Sequence, residues 1–311
     1  MILNFRDMQT KVTGFLYFIN NILNPKHLLE NIKLIYDFKK LSLKKHNKFQ
    51  EEEKNKKALI LCYPNINSIL IQSFFLISLR TKGYELIGLM HSYNYSIQKV
   101  YKFFGVKKVT YFFEAFATKK KKRISSFKKK DLKKFYYKKV PVGKIILSTL
   151  MRKHKTSNID KIKKEEIQLA IDLSVNIVEF FLKKLAKLNP DILILLDRGY
   201  TPEAEIFHTA LIENIKSIEV HLGHRSDFLT FKKYSFKNKN EHFNSLSKKT
   251  LNYLKDKKNK NFYKKRVFEE LEFCYNSGKW FEEVGTQIEK KHITKKMFLK
   301  KFNLDPQKKI A

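Results

Sequence analysis

Short apolar runs, separated by longer segments with helical spacing, recur along this sequence. The runs at 58–63, 84–90 and 106–113 predict three strands, and the segments at 68–82 and 95–104 predict the helices between them. Alternation of strand, helix and strand is typical of a parallel sheet with right-handed crossovers. No Gly-x-Gly-x-x-Gly sequence follows the first run and no Walker-type loop occurs, so nothing indicates dinucleotide or nucleoside triphosphate binding through those motifs.

The pattern continues in the second half of the chain. A long helix is predicted over 161–188, because one apolar stripe recurs there at helical spacing and Asn189-Pro190 follows it. The run at 192–196 predicts a strand buried on both faces. A helix over 202–214 and a strand over 218–221 come next. The stripe consists of Leu169, Leu173, Ile177, Phe180, Phe181, Leu185 and Leu188.

These elements predict an α/β fold with a Rossmann-like parallel sheet flanked by helices, preceded by a helical N-terminal extension at 1–56 that ends in a charged linker. Within the extension, residues 25–40 have the spacing of an amphipathic helix. It either packs on the domain or lies on an anionic membrane. We expect neither a signal peptide nor a membrane span, since no cleavage pattern occurs and no apolar run is long enough to cross a bilayer.

A polar turn follows the strand at 192–196. It contains Asp197, Arg198, Gly199 and Tyr200, and we expect Thr201 to cap the next helix, with Pro202 as its first residue. Ligands of open α/β sheets bind at the carboxyl ends of the strands, where such turns lie. The turn is therefore either part of a ligand site or an ordinary charged surface turn.

A second polar cluster follows the strand at 218–221. It begins with Gly223, His224, Arg225 and Asp227 and continues through polar residues to 242, in a stretch that no core would need. Neighbouring parallel strands end at the same edge of a sheet. We therefore expect Asp197, Arg198, His224 and Arg225 to lie on the rim of one open cleft.

The chain has a formal net charge of +35, which suggests anionic partners. Only seven of its 65 basic residues are arginine. Arginine is the residue that best forms bidentate hydrogen bonds with phosphate groups and base edges. Much of the charge is thus explained by a lysine-rich, solvated surface. The two cysteines, Cys62 and Cys274, lack metal-ligand spacing, and Cys62 falls in a predicted buried strand, which fits a reducing, cytoplasmic location.

Residues 119–139 hold twelve basic residues and one acidic residue, with aromatic residues between them. A solvated, mobile loop is the first interpretation. A surface that docks on anionic membrane is the second, because lysines near an anionic leaflet are attracted to it. Nucleic-acid binding is disfavoured, because arginine is scarce and no recognised module surrounds the segment.

Several motifs resemble those of a known class of enzyme. The sequence HRSD at 224–227, the pair KY at 233–234 and the run NEHFNSLSKKT at 240–250 resemble the N-terminal half of bacterial capsular-polysaccharide glycosyltransferases with the GT-B architecture. DRGYTP at 197–202 resembles the turn that lies just upstream in those enzymes. FNLDPQKKIA at 302–311 resembles the junction between their two Rossmann-like halves.

The resemblance implies an acceptor-side domain over 57–302, with 303–311 as the start of a donor-binding second domain that the sequence does not contain. Such a half would be inactive in sugar transfer alone. We expect it to bind a sugar or lipid-linked acceptor, and to act with a separate donor-binding domain or chain in surface-polysaccharide assembly at the inner face of the cell membrane. The alternative is a non-catalytic protein that docks on anionic membrane through its lysine-rich segment.

Sugar transfer needs a general base near the acceptor hydroxyl, or a stabiliser of the donor phosphate. His224 is the first candidate for the base, with Asp227 or Asp197 as its orienter or as an alternative base. Arg198 and Arg225 are candidates for holding a phosphate. No cofactor motif and no metal-ligand spacing occurs, so we expect neither. The other candidate substrate-binding residues are Gly199, Tyr200, Thr201, Glu203, Gly223 and His242.

Two of these candidates also have plain structural explanations. Glu203 lies near the predicted start of a helix, where a carboxylate complements the helix macrodipole. His242 is as well explained by packing within a loop.

Overall fold

The structure is a computed structural model that describes residues 56–116, 129–222, 229–277 and 294–302, together with residues 33, 36, 37, 40 and 305. The chain divides into two compact units. The first comprises Met1–His221 and Phe231–Phe243, and the second comprises Leu222–Thr230 and Asn244–Ala311. Residues 33, 36, 37 and 40 of the predicted N-terminal helix are helical and exposed, and the rest of that helix lies outside the described residues.

A six-stranded sheet in the order β3-β2-β1-β4-β5-β6 organises the fold. The pairs β1–β2, β1–β4, β2–β3 and β4–β5 are parallel. The prediction of an α/β fold with a Rossmann-like, mostly parallel sheet is thus confirmed. The strands are β1 Lys57–Leu61, β2 Glu85–Met90, β3 Lys108–Tyr111, β4 Ile192–Leu195, β5 Lys216–Leu222 and β6 Leu229–Tyr234.

Eight α-helices occur in the part of the chain that the structure describes in continuous segments. Asn65 and Asn94 cap the first two, since their side chains accept hydrogen bonds from the backbone N–H of Ser68 and Ile97. No described helix is long and apolar enough to cross a membrane. The helices are α1 Ile66–Thr81, α2 Tyr95–Phe103, α3 Val142–His154, α4 Lys164–Leu188, α5 Glu203–Ile212, α6 Lys248–Lys255, α7 Lys257–Ser277 and α8 Lys295–Lys301.

The sheet is covered on both faces, and β4 shows how. Its residues are all buried and alternate between two apolar clusters. Leu193 and Leu195 pack with side chains of α4 and α5, such as Phe181 and Phe207. Ile192 and Ile194 pack with side chains of α1 and α2. The five-residue apolar run therefore has a partner on each side, as a central parallel strand requires.

Helix α4 is buried along two stripes rather than one. Ile177, Phe181 and Leu185 belong to the cluster on the sheet. A second set packs with α3 and comprises Ile167, Ile171, Val175 and Val178. The predicted stripe is wrong at Leu169, which is 48% exposed, because the packing on α3 rotates the buried surface away from that position.

The lysine-rich segment at 119–139 is only partly described. Residues 119–128 lie outside the described residues, and a 3₁₀ helix follows at Lys129–Lys134. Leu132 and Val140 are buried against α3 and α4, and the Tyr137 hydroxyl donates a hydrogen bond to Glu179 of α4. Residues 131–139 are therefore not a free loop, because the apolar side chains between the lysines hold the segment on the domain. The lysines themselves are exposed, as the interpretation of a solvated segment expects.

Strand β6 lies inside the polar stretch at 223–242, which the sequence predicts to lie outside the core. Tyr234, its last residue, is fully buried, and its ring packs edge-on against Phe207 at a centroid distance of 5.3 Å. The expectation is wrong here because an edge strand has one hydrogen-bonded neighbour. Such a strand can keep Lys232 and Lys233 among its residues and still bury an aromatic side chain.

Candidate functional site at the carboxyl edge of the sheet

The carboxyl ends of the parallel strands bring several predicted site residues to one edge of the sheet. Asp197, Arg198, Gly199 and Tyr200 follow β4 directly, and Glu203 is the first residue of α5. The predicted residues Gly223, His224, Arg225 and Asp227 belong to residues 223–228, which lie outside the described residues. Their proposed roles stay predictions.

The turn after β4 is fixed by its own side chains. Asp197 Oδ1 accepts a hydrogen bond of 2.7 Å from the backbone N–H of Gly199, which is the Asx-turn arrangement. The Thr201 backbone N–H donates to Thr149 Oγ1 of α3 at 3.0 Å. The turn is thereby tied to a neighbouring helix, and the Thr201–Pro202 peptide bond within it is cis.

Thr201 does not cap α5 as the sequence predicts. The N-cap position is Pro202, and no side chain bonds to the backbone there. The Thr201 hydroxyl instead donates to Glu205 Oε1 at 2.8 Å. Because a buried carboxyl group needs hydrogen-bond donors, it takes the hydroxyl that would otherwise cap the helix.

Glu205 is a fully buried carboxyl group that joins three elements of the fold. Its Oε1 also accepts a hydrogen bond of 2.5 Å from Ser174 Oγ of α4. Burial raises the pKa of Glu205 to about 7, although both hydroxyl donors act in the opposite direction. No described residue is hydrogen-bonded to Oε2, so an ionised carboxylate would leave this buried oxygen without a donor.

Tyr63, just beyond β1, is held by a chain of hydrogen bonds. Its backbone N–H donates to the Tyr101 hydroxyl at 2.9 Å, and that hydroxyl donates to Gln72 Oε1 at 2.6 Å. The Gln72 side-chain amide donates to the Leu61 carbonyl oxygen at 2.8 Å. The Tyr63 hydroxyl accepts a hydrogen bond from the backbone N–H of Leu196 at 3.2 Å. The ends of β1 and β4 are thus joined through this side chain.

Glu203 is a partly buried carboxyl group near Asp197 and Tyr63. Burial, with the charges of Asp197 and Glu205 adding to it, raises the pKa of Glu203 to about 7, although a hydrogen bond from its own backbone N–H and the charge of Arg152 act against them. Burial, with the charge of Glu203 adding to it, also raises the pKa of Tyr63. This part of the edge holds a carboxyl group that can gain or lose a proton near neutral pH.

The guanidinium group of Arg198 is held by the protein itself. Its Nε donates to Glu219 Oε2 at 2.8 Å, and its terminal nitrogens donate to the carbonyl oxygens of Lys239 and Glu241 at 3.1 and 2.7 Å. The group also lies over the Tyr234 ring, 4.4 Å from its centroid. Arg198 therefore positions Glu219 and residues 239–241, and its candidate role in binding a phosphate stays a prediction.

His221, on β5, is the functional candidate that the sequence reasoning missed. Its Nε2 lies 3.1 Å from Glu219 Oε1, and its ring packs edge-on against Phe243 at a centroid distance of 4.3 Å. Burial alone would raise the pKa of Glu219, but the hydrogen bond from His221 and the charge of Arg198 outweigh it and lower that pKa. The ionised carboxylate can only accept, so Nε2 carries the hydrogen and Nδ1 of the neutral ring carries the lone pair.

A signal for His221 was present in the sequence. Glu219 and His221 are two residues apart on one strand, so they point to the same face of the sheet. The pair also lies at the carboxyl end of a strand, where ligands bind. The apolar residues around the pair predict a strand, and the polar residues after that strand are the more conspicuous candidates for the base.

Asp197 and His221 occupy equivalent positions beyond the registered part of β4 and β5. The last registered pair is Leu195 with Glu219, and Asp197 and His221 each lie two residues further along. This edge of the sheet thus carries an imidazole of fixed tautomer on β5 and the carboxyl groups of Asp197 and Glu203 after β4. Such a set can accept a proton and can accept hydrogen bonds from the hydroxyl groups of a ligand.

The remaining predicted residues lie around this edge in different settings. The guanidinium group of Arg152 lies over the Tyr200 ring, 4.2 Å from the ring centroid. His242 is exposed, and its carbonyl oxygen accepts a hydrogen bond of 2.8 Å from Lys232 Nζ. Within the described part of the chain, no three or more His, Cys, Asp or Glu side chains are grouped to hold a metal ion. Comparisons with family models, curated proteins and solved structures found no match to this chain.

Proposed function

We propose that the first unit is the acceptor-side domain of a glycosyltransferase and that His221 is the base that activates the acceptor hydroxyl. The observation that carries the proposal is the chain of contacts Arg198–Glu219–His221 at the carboxyl end of β5. A buried carboxylate that fixes the tautomer of a half-exposed imidazole is the arrangement by which proteins hold a histidine as a general base. The resemblance of residues 197–202 and 224–250 to acceptor-side domains supports sugar transfer as the reaction.

In the proposed step, Nδ1 of His221 takes the proton of the acceptor hydroxyl. The hydroxyl oxygen then forms a bond to the anomeric carbon of the donor sugar, and the bond to the donor phosphate breaks with its electron pair leaving on the phosphate. Glu219 stabilises the imidazolium that forms, since its carboxylate stays ionised. Asp197 and Glu203 accept hydrogen bonds from other hydroxyl groups of the acceptor.

Two measurements on the full chain test this proposal. The first is ligand-observed NMR with a panel of mono- and disaccharides, in which wild type and His221→Asn should bind the same sugars. The second is transfer from a panel of labelled nucleotide sugars to these sugars or to a bacterial lipid extract, with and without a separately expressed donor-binding domain. His221→Asn should lower the rate by about 10²-fold or more, as loss of a general base does.

His154→Asn is the matched control, because His154 also pairs with a glutamate, Glu166, at 2.9 Å but lies at the exposed end of α3. It should transfer at the wild-type rate. A wild-type chain that binds no sugar in the panel would refute the acceptor-side assignment. A fully active His221→Asn would refute the role of the base alone.

A further inference from the structure

Helices α6 and α7 bury almost none of their surface. No residue of α6 is buried, and the residues of α7 whose burial is described are exposed, apart from three that are half-buried. A helix with apolar residues normally buries them against another element. The α6–α7 segment, residues 248–277, therefore has an apolar surface that the described part of the chain does not cover.

Three exposed apolar residues of α7 form a stripe. Tyr263, Val267 and Leu271 are spaced four residues apart and so follow one another along the same side of the helix. Each is between 36% and 56% exposed, and Phe262 and Phe268 add exposed aromatic surface beside them. The Tyr263 ring also packs against Tyr253 of α6 at a centroid distance of 6.2 Å, which joins the two helices into one surface.

Basic residues surround the first part of this stripe. From residue 248 to 268, Asp256 is the single acidic residue in the sequence, whereas Glu269, Glu270 and Glu272 flank Leu271. Over 248–277 the sequence holds nine basic and four acidic residues, so the segment is basic as a whole. Lysine stems lie along apolar surface while their ammonium groups reach outwards. The exposed basic side chains of this part are Lys248, Lys249, Lys255, Lys260, Lys264, Lys265 and Arg266.

We propose that the α6–α7 segment is a docking surface for an anionic lipid bilayer. Interfacial helices combine exposed aromatic and aliphatic residues, which enter the boundary of the acyl chains, with lysine and arginine, which contact anionic headgroups. Charge decides among the possible occupants of the stripe. A second copy would bring two segments of net positive charge together, which like-charge repulsion opposes.

Nucleic acid is the other anionic partner that this charge allows. Proteins that bind single strands use a basic groove with stacking platforms, whereas this surface is two exposed helices with one arginine. A bilayer fits better, because it accepts an exposed apolar stripe and basic residues at the same time. The proposal does not depend on the role of His221.

Vesicle co-sedimentation of the full chain tests the proposal. We expect the wild type to bind vesicles of equal parts phosphatidylcholine and phosphatidylglycerol, and to bind them less as salt is raised. We expect little binding to phosphatidylcholine alone. The double variant Val267→Glu/Leu271→Glu should bind the anionic vesicles at least about tenfold more weakly, since it removes two aliphatic side chains from the bilayer. It should remain folded by circular dichroism, because both positions are exposed.

Leu169→Glu is the matched control, since Leu169 is an exposed leucine on α4 of the first unit. It should bind the vesicles as the wild type does. A wild type that ignores anionic vesicles, or a double variant that binds them at wild-type strength, would overturn the proposal. Two further outcomes would also overturn it. If the wild type does not bind vesicles but binds oligonucleotides or forms dimers, and the double variant does neither, the stripe serves nucleic acid or a second copy.

Discussion

Gly143 lies so close to Leu132 that a Cβ atom on Gly143 would stand 1.6 Å from the Leu132 carbonyl oxygen. The Gly143 backbone N–H also donates to the Phe135 carbonyl oxygen at 2.9 Å. These two contacts dock the 3₁₀ helix Lys129–Lys134 onto the start of α3. They explain how a lysine-rich segment becomes part of the packed domain.

Replacement of Gly143 by alanine should therefore destabilise the first unit. The new methyl group meets backbone rather than a flexible side chain, so the segment must move away, and overpacking of this kind costs about 1–3 kcal/mol. Urea denaturation followed by circular dichroism measures the loss. Gly199→Ala is the control, since its Cβ would meet only Asp197 Oδ1 at 3.3 Å. Equal stability of the two variants would contradict the close approach.

The buried carboxyl group of Glu205 should make stability depend on pH. Its pKa is about 7 in the folded chain against 4.5 as the ordinary value, so the folded state binds more protons than the unfolded state between these two pH values. Stability then falls as pH rises through this window, by an amount on the order of 3 kcal/mol. Glu205→Gln should remove this contribution.

Another buried group changes stability with pH in the opposite direction. The effect of Glu205 must therefore be measured as the difference in free energy of unfolding between the wild type and Glu205→Gln. Burial lowers the pKa of His208 to about 4, with the charges of Lys239 and Arg198 adding to the shift. This histidine makes the chain less stable as pH falls below its ordinary pKa. The free energy of unfolding of the wild type minus that of Glu205→Gln cancels this effect. A difference that stays constant between pH 5 and 8 would show that Glu205 is not held in its protonated form.

The tautomer of His221 can be tested without knowing the substrate. In the wild type at alkaline pH, long-range ¹H–¹⁵N correlation spectra should show hydrogen on Nε2 and a lone pair on Nδ1. Glu219→Gln replaces an obligatory acceptor with an amide that can also donate, so the other tautomer should become populated. An unchanged tautomer in this variant would mean that Glu219 does not set it.

Arg198 should be important for local order near residues 239–241. Arg198→Leu removes two hydrogen bonds to that backbone and leaves Glu219 without its guanidinium partner. Breaking a buried ion pair in this way costs about 3–5 kcal/mol. Limited proteolysis should cleave this variant faster within residues 235–243. Arg198→Lys keeps the charge but not the fork, so its cleavage rate should lie between those of the leucine variant and the wild type.

The central strands were predictable because their chemistry is local. Continuous apolar runs such as 192–196 can be stable only between two covered faces, so sequence alone indicates both the strand and its surroundings. β6 was not predictable in the same way. Its neighbouring residues Lys232 and Lys233 break the alternation, and only the position of the strand at the sheet edge makes that acceptable.

The site was less predictable than the fold because its groups interact over long sequence distances. The hydroxyl of Thr201 had two possible partners, and the buried Glu205 decides between them. Likewise, nothing local to Arg198 indicates that its guanidinium group reaches Glu219 and residues 239–241. Sequence spacing indicated that polar groups gather in the turn after β4. It did not indicate which of these groups form hydrogen bonds with one another.

Lysines lie on both edge strands of the sheet, where they oppose pairing with another chain. β3 ends the sheet on one side and begins with the exposed Lys108, and β6 ends it on the other side with the exposed Lys233. An unpaired strand edge is a template onto which another chain can add, and lysine on an edge opposes that addition. In a chain this rich in β-branched and aromatic residues, these lysines protect the protein from growing into edge-to-edge aggregates.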